Sequence, residues 1–284
     1  MGSKLEFWKM NGAGNDFVLL NDPDGAIPEA SCPSLARILC ERHLSLGADG
    51  MMVVVPPVQG GDFGMRFYNA DGSLGEMCGN GARCICRYGF ETGLAGEVQR
   101  VETTAGLVTG HRIDRSNYRI RLNDPSVIEL DRRVSVQGRE YRLSYVELGD
   151  PGLPHAVVPI SGLRDTDGES LRALGRELRY HPSFPKGANV NFYEIISPDR
   201  VFIRTYERGV EDFTYACGTG TGSTALVLAL AGLTGTHLTA EMRGGTLYVD
   251  TELENGTVKN LWLTGPTNIV AKGEITDENI ETLI

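Results

Sequence analysis

Apolar positions in the first half of the chain come in short runs, Phe17-Val18-Leu19-Leu20, Met51 to Val55 and Met65 to Tyr68, separated by Gly, Asp and Asn. Runs this brief, bounded by turn formers, predict strands joined by tight loops. Two segments break the pattern. Pro33 to Arg42 has helical composition, and Asn80 to Glu91 sets Ala82, Ile85, Cys86 and Phe90 near one helical face. From about Tyr118 the order restarts, with strands at Tyr118 to Leu122, Arg142 to Leu148 and His155 to Ile160, then a helix around Glu169 to Leu178. Strands at Asn189 to Ile196 and Arg200 to Tyr206 follow. Ser223 to Leu233 is apolar on every side, which predicts a buried helix. Alternation resumes through Leu247 to Leu253 and Leu261 to Leu263, so the tail is read as sheet. The restart predicts an α/β chain of two similar lobes, 1–117 and 118–263, with 264–275 returning to the first.

A chain of 284 residues that is 41% hydrophobic can bury a core in each lobe. Its net charge of −10, with Lys and Arg scattered, disfavours nucleic acid as a partner. No apolar run approaches the roughly 18 to 20 residues of a membrane span, and Met1 to Glu6 lacks a signal-peptide core. A soluble, cytoplasmic protein is expected. Six cysteines are too sparse for a disulfide scaffold and show no C-x2-C spacing, so reduced thiols and no metal site are expected. Cys84 and Cys86, two apart on a helix, point to different faces; with Cys32 and Cys40 they read as core filler.

The remaining two cysteines stand in matched tetrapeptides, Cys-Gly-Asn-Gly at Cys78 to Gly81 and Cys-Gly-Thr-Gly at Cys217 to Gly220. The copies lie about half a chain apart, and each opens a helix. A helix N-terminus favours a thiolate through its unpaired N–H groups, and the glycines let amides approach an anion closely. With one thiol on each side of a bound amino acid, one can remove the α-proton while the other protonates the opposite face. Oriented amides can stabilise the carbanion-like state, and nothing in the chain advertises a cofactor. Asn69-Ala70-Asp71-Gly72 and Tyr206-Glu207-Arg208-Gly209 supply polar groups ahead of the two cysteines.

These residues resemble the diaminopimelate epimerase family over nearly the whole chain. The likeness is carried by Lys9-Met10-Asn11-Gly12-Ala13-Gly14-Asn15-Asp16-Phe17, Gly47-Ala48-Asp49-Gly50, Phe67 to Gly72, Met77 to Cys84, Gly187-Ala188-Asn189-Val190-Asn191-Phe192, Tyr206 to Gly209 and Ala216 to Gly220. The resemblance implies two pseudo-symmetric α/β lobes, each a sheet wrapped around a central helix, with the active site in the cleft between them. It implies that Cys217 accepts the proton of the L,L substrate and Cys78 donates, without a cofactor. It implies that Asn11, Asn69, Asn189, Glu207 and Arg208 contact substrate, with the Gly79-Asn80 and Gly218-Thr219 amides at its carboxylate. Those residue types suit a zwitterion, since Arg pairs bidentately with a carboxylate and Glu holds an ammonium. His155, in Gly152-Leu153-Pro154-His155, and Glu207 take the family's place beside the thiols, tuning their protonation. A homodimer is implied as well.

Three places depart from the family pattern. Leu153 stands where many members have a substrate-binding Asn, and Gly50 where some have Gln. Glu211-Asp212-Phe213-Thr214-Tyr215 adds two aromatics before Cys217. Leu153 and Gly50 remove polar groups from the expected pocket, and a site lacking them discriminates less against other substrates. Besides diaminopimelate epimerisation, the sequence therefore admits racemisation of another amino acid such as histidine. A thiol redox sensor or amino-acid-binding protein is the alternative of another class.

Overall fold

The computed structural model describes residues 5–22, 24–75, 78–276 and 278–280; Met1 to Lys4 and Met77 of the first cysteine motif lie outside them. The chain divides into two compact units, Met1–Ile120 with Gly265–Ile284, and Arg121–Thr264.

The first unit contains β1 (Leu5–Gly12), β2 (Asn15–Asn21), α1 (Cys32–Cys40), β3 (Gly50–Val55), β4 (Phe63–Asn69), α2 (Gly79–Glu91), β5 (Val98–Thr103), β6 (Gly106–Arg112) and β7 (Asn117–Arg121). The last strand of the chain, β17 (Asn268–Ile275), returns to it and pairs with β1. From β17 the strands run through β1 and on to β7 in chain order. β2–β3 and β4–β5 are parallel and the other pairs antiparallel. A parallel pair needs a crossover, and α1 and α2 supply it.

The second unit repeats the plan. It comprises β8 (Pro125–Val136), β9 (Arg139–Leu148), β10 (Leu153–Pro159), α3 (Gly168–Arg179), β11 (Asn189–Ser197), β12 (Arg200–Glu207), the two-residue β13 (Asp212–Phe213), α4 (Gly218–Leu230), β14 (His237–Met242), β15 (Gly245–Glu254) and β16 (Thr257–Pro266). Here β10–β11 and β12–β14 are the parallel pairs, crossed by α3 and α4. Direction for direction, β8-β9-β10-β11-β12-β14-β15-β16 matches β17-β1-β2-β3-β4-β5-β6-β7.

Each unit holds one helix of either kind. α1 buries Cys32, Leu35, Ala36, Leu39 and Cys40, the one-face spacing of a surface helix, against Val18, Leu20, Met51 and Val53. α3 does the same with Leu171 and Leu178 against Val158, Val190 and Phe192. α2 and α4 are instead enclosed by their own sheets. α2 packs on β1, β2 and β6 and is buried from Gly79 to Gly89; α4 packs on β9, β10, β11 and β15 and is buried over nearly all of Gly218 to Leu228.

The predicted buried run to Leu233 is too long. α4 stops at Leu230, and Leu233 is 52% exposed. Gly232, at φ +67°, turns the chain, while the amides of Gly232 and Leu233 return to the carbonyls of Ala229 and Leu228. Among the described residues no helix is long and apolar enough to cross a membrane.

Candidate active site

Cys78 and Cys217 are the N-caps of the two enclosed helices. Each leaves the preceding loop in extended conformation, at φ −120°, ψ 110° for Cys78 and φ −115°, ψ 111° for Cys217. The sulfur then accepts the amide three residues on, from Gly81 at 3.5 Å and from Gly220 at 3.4 Å. This is the geometry of a Ser or Asp cap with sulfur in place of oxygen, and it aims the positive end of the helix at the thiol. Thr219 Oγ1 adds a contact at 3.6 Å to the Cys217 sulfur. All six cysteines are free, and Cys32, Cys40, Cys84 and Cys86 are buried.

Around Cys78 the dominant feature is a fully buried guanidinium. Arg83 donates from Nη2 to Asn80 Oδ1 at 2.7 Å and from Nη1 to the Gly79 carbonyl at 3.3 Å, while its Nε has no partner among the described residues. Burial pulls its pKa down to about 10, and the field of Cys84, Cys78 and Cys86 opposes that fall. Burial also pushes Cys84 up to about 12, so Cys84 stays a thiol. Asn80 donates in turn to Asn15 Oδ1, and Asn15 to Asp49 at 3.1 Å. Arg42 spans Asp16 and Asp49 at 2.7 and 2.9 Å, and Lys9 binds Asp16 at 2.6 Å. Desolvation raises the Asp16 pKa, but Lys9 and Arg42 outweigh it and hold the carboxyl below its usual range. The Lys9–Asp16 and Gly47–Gly50 motifs thus lock the β1–β2 hairpin to the first turn of α2.

Asn11 lies half-buried in β1, opposite Asp16 and Asn268. Asn69, exposed at the end of β4, donates to Ser73 Oγ at 2.9 Å. Gly50 faces Asn69 across the β3–β4 pair, and a Cβ there would stand 2.5 Å from the Phe67 ring. The same ring would lie 2.3 Å from a Cβ on Gly75. The missing side chain at Gly50 leaves no gap, because the Phe67 ring and the Tyr68 carbonyl fill the place it would take.

Beside the Cys217 helix stand His155 and Asn191, a neutral pair, with the Arg208 charge near the ring. His155 opens the β10–β11 pairing opposite Asn189, and Asn191 follows on the same face of β11. His155 is fully buried; desolvation, with the Arg208 charge adding to it, pushes its pKa down to about 3, so the imidazole is uncharged. Asn191 Nδ2 contacts His155 Nδ1 at 3.3 Å and the Ala156 carbonyl at 3.2 Å, and Thr205 Oγ1 meets Asn191 Oδ1 at 3.0 Å. Asn189 accepts the Arg208 amide at 2.8 Å and donates to the Pro154 carbonyl at 3.4 Å, which ties β10 to the end of β12. Arg208 Nη1 donates to the Lys186 carbonyl at 3.1 Å, and Glu207 is half-buried opposite Asp212. Leu153 starts β10 opposite Leu148, half-buried. Of the added aromatics, Phe213 packs against Phe192 and Tyr206 inside the second unit, whereas Tyr215 is half-exposed beneath Arg243.

The second unit thus brings together His155, Asn189, Glu207 and Arg208, and the first gathers Asn80 at Cys78. Two residues were missed by sequence reasoning. Asn191 sits in the same motif as Asn189 and shares its face by strand alternation, a signal that was available. Arg83 is one of two buried cations of α2, with Arg87, and a charge within a buried helix marks a site. Among the described residues no three His, Cys, Asp or Glu side chains gather as a metal-binding group.

The family model described as Diaminopimelate epimerase matches residues 7–123 and 149–270. The chain belongs to the diaminopimelate epimerase family. Its curated relatives include the diaminopimelate epimerases of Aquifex aeolicus, 36% identical over 98% of this chain and 100% of that protein, and of Methanothrix thermoacetophila, 35% identical over 99% of each. That of Archaeoglobus fulgidus is 38% identical over 87% of this chain and 89% of its own. Among solved structures, a probable proline racemase from Agrobacterium radiobacter superposes with a TM-score of 0.72 at 18% identity, covering 98% of this chain and 95% of that one. A hydroxyproline epimerase from Agrobacterium vitis does so at 0.72 and 17%, covering 99% and 96%. These likenesses place the family's two-lobed α/β fold beside those of other epimerases and racemases.

Proposed function

We propose that this chain is a cofactor-independent isomerase that interconverts L,L- and meso-diaminopimelate with two cysteines. The observation that carries the reading is the paired cap, two thiols held by identical backbone geometry at the starts of two enclosed helices. Full-length relatives bearing that activity in their names support it.

In the proposed reaction the Cys217 thiolate takes the α-proton of the L,L substrate and becomes a thiol. The electron pair left on carbon takes a proton from the Cys78 thiol on the opposite face, leaving a Cys78 thiolate. Charge is conserved, and the reverse reaction exchanges the roles. The amides at Gly79-Asn80 and Gly218-Thr219 hold the substrate carboxylate, and Arg208 and Glu207 pair with its charged groups. Asn11, Asn69 and Asn189 contact the same substrate. His155 and Glu207 act beside the thiols. A cytoplasmic homodimer belongs to the same proposal, and sedimentation of the purified chain tests the dimer.

The deciding experiment is α-proton exchange in deuterium oxide, with reduced protein and L,L-diaminopimelate and L-histidine in parallel. Wash-in on diaminopimelate supports the proposal. Wash-in mainly on histidine, which the apolar Leu153 and the filled space at Gly50 would favour, moves the activity to a racemase. Exchange on neither overturns both and leaves binding or thiol redox sensing.

A further inference from the structure

A carboxamide has one donating and one accepting end, and at Asn191 the protein fixes which is which. Its Nδ2 lies 3.2 Å from the Ala156 carbonyl, a group that can only accept. Its Oδ1 lies 3.0 Å from Thr205 Oγ1, which donates to it. With the amide so oriented, Nδ2 also faces His155 Nδ1 at 3.3 Å and the Asn189 carbonyl at 3.5 Å, and the ring nitrogen, the nearer of the two, takes the second hydrogen. That nitrogen must present its lone pair. His155 has no exposed surface and lies near the Arg208 charge, so the ring is neutral and its single proton sits on Nε2. The Nε2 atom is buried and has no hydrogen-bond partner among the described residues.

We propose that Asn191 is a positioning residue that fixes His155 as the Nε2–H tautomer, making the imidazole a hydrogen-bond donor to an anion of the site and not a proton acceptor. The anion would be the Cys217 thiolate or a substrate carboxylate. The inference rests on the proposed function for its catalytic meaning, although the tautomer itself can be read without substrate. It specifies how His155 tunes the protonation of the thiols, by donating a hydrogen bond and not by taking up protons.

The second helix is built around the same amide. A Cβ on Gly220 would stand 2.1 Å from Asn191 Oδ1, so only glycine leaves the carboxamide its place. Gly220 is also the residue whose N–H caps the Cys217 sulfur. One side chain therefore seats both the histidine ring and the first turn of the cysteine helix.

Nitrogen-15 NMR of the full chain labelled at histidine tests the proposal, with the His155 signals identified by their loss in His155→Gln. The expected result is an unprotonated Nδ1 and a protonated Nε2 across about pH 5 to 8. In Asn191→Asp the carboxylate accepts from the ring, so the proton should move to Nδ1 or the ring become cationic, with exchange on diaminopimelate slowed at least about tenfold. His155→Gln, which keeps an N–H donor, should retain more activity than His155→Leu. A proton on Nδ1 in the unsubstituted protein overturns the proposal whether or not any variant folds, as does an unchanged tautomer in a folded Asn191→Asp. The tautomer is read without turnover, so failure of the proposed reaction shows separately in the exchange assay.

Discussion

The two cysteine helices are alike in backbone and unlike in company. Both contain 13 residues, and their capping thiols take the same amide at nearly the same distance. Five residues beyond Cys78 stands Arg83, a buried cation; five beyond Cys217 stands Gly222, where Leu122 Cδ1 lies 2.3 Å from a Cβ position. The strand residue facing the third position after the cysteine is Met52 in one unit and Asn191 in the other. At the parallel pairing, Phe17 opposite Gly50 corresponds to His155 opposite Asn189. The shared plan thus fixes where the thiols sit, and a few substituted neighbours decide what charge each is surrounded by. A cation beside one sulfur and a neutral carboxamide–imidazole pair near the other make two positions that are geometrically equivalent and chemically distinct.

The broadest test of equivalence is removal of each thiol. Cys78→Ala and Cys217→Ala should each lower epimerisation by about 10²- to 10⁴-fold, the range for losing an acid–base group. Near-normal turnover in either would break the symmetry outright.

His155 offers the next contrast, because Phe17 in the other unit cannot titrate. Its folded pKa is lowered, so the unfolded chain binds more protons as pH falls below about 6.5. The neutral buried form is fully favourable above that pH, and stability should decline towards pH 3 by up to about 1.4 kcal/mol per unit from this group. Urea unfolding at a series of pH values should show a shallower decline in His155→Gln.

At Gly222 the outcome should be steric. Gly222→Ala pushes into Leu122 and should cost about 1–3 kcal/mol in unfolding free energy. The smallest effect is expected at Arg83, whose charge has no carboxylate partner among the described residues. Arg83→Met should leave unfolding stability within about 1–2 kcal/mol, since replacing a buried ion by an apolar group of similar size is often neutral. Iodoacetamide labelling of Cys78 should nevertheless slow about tenfold, the loss of one nearby charge's support for the thiolate. Unchanged labelling would mean that the two cysteines differ in neighbours but not in reactivity.

The repeat was legible because alternation and helix composition survive duplication. The strands Phe17–Leu20, Met51–Val55, His155–Ile160 and Asn189–Ile196 and the helix α4 stand out as apolar runs, and the other three helices by their composition and spacing. β8 was not legible, because only Val134 and Val136 are buried among its 12 residues, while Ile128 and Leu130 are exposed among polar positions and give no clean alternation. β17 carries no strand pattern of its own, with most of its residues exposed, although the return of 264–275 to the first lobe was expected. At the site, the cysteine caps follow from sequence because local hydrogen bonds set them. The Asn191–His155 contact joins residues 36 positions apart, and which end of the amide faces the ring depends on Ala156 and Thr205. Spacing carries no information of that kind.

The ring of Phe67, held between Gly50 and Gly75, links three positions into one unit of change. A side chain at position 50 meets both that ring and the Tyr68 carbonyl, 2.8 Å from the Cβ position, so shrinking position 67 alone does not admit it, and a smaller residue at 67 opens a void until 75 grows. Any route by which a descendant of this protein gains a side chain at position 50 therefore needs both a change at position 67 and a shift of the β4 backbone at Tyr68, so packing constrains this wall before selection on substrate can act on it.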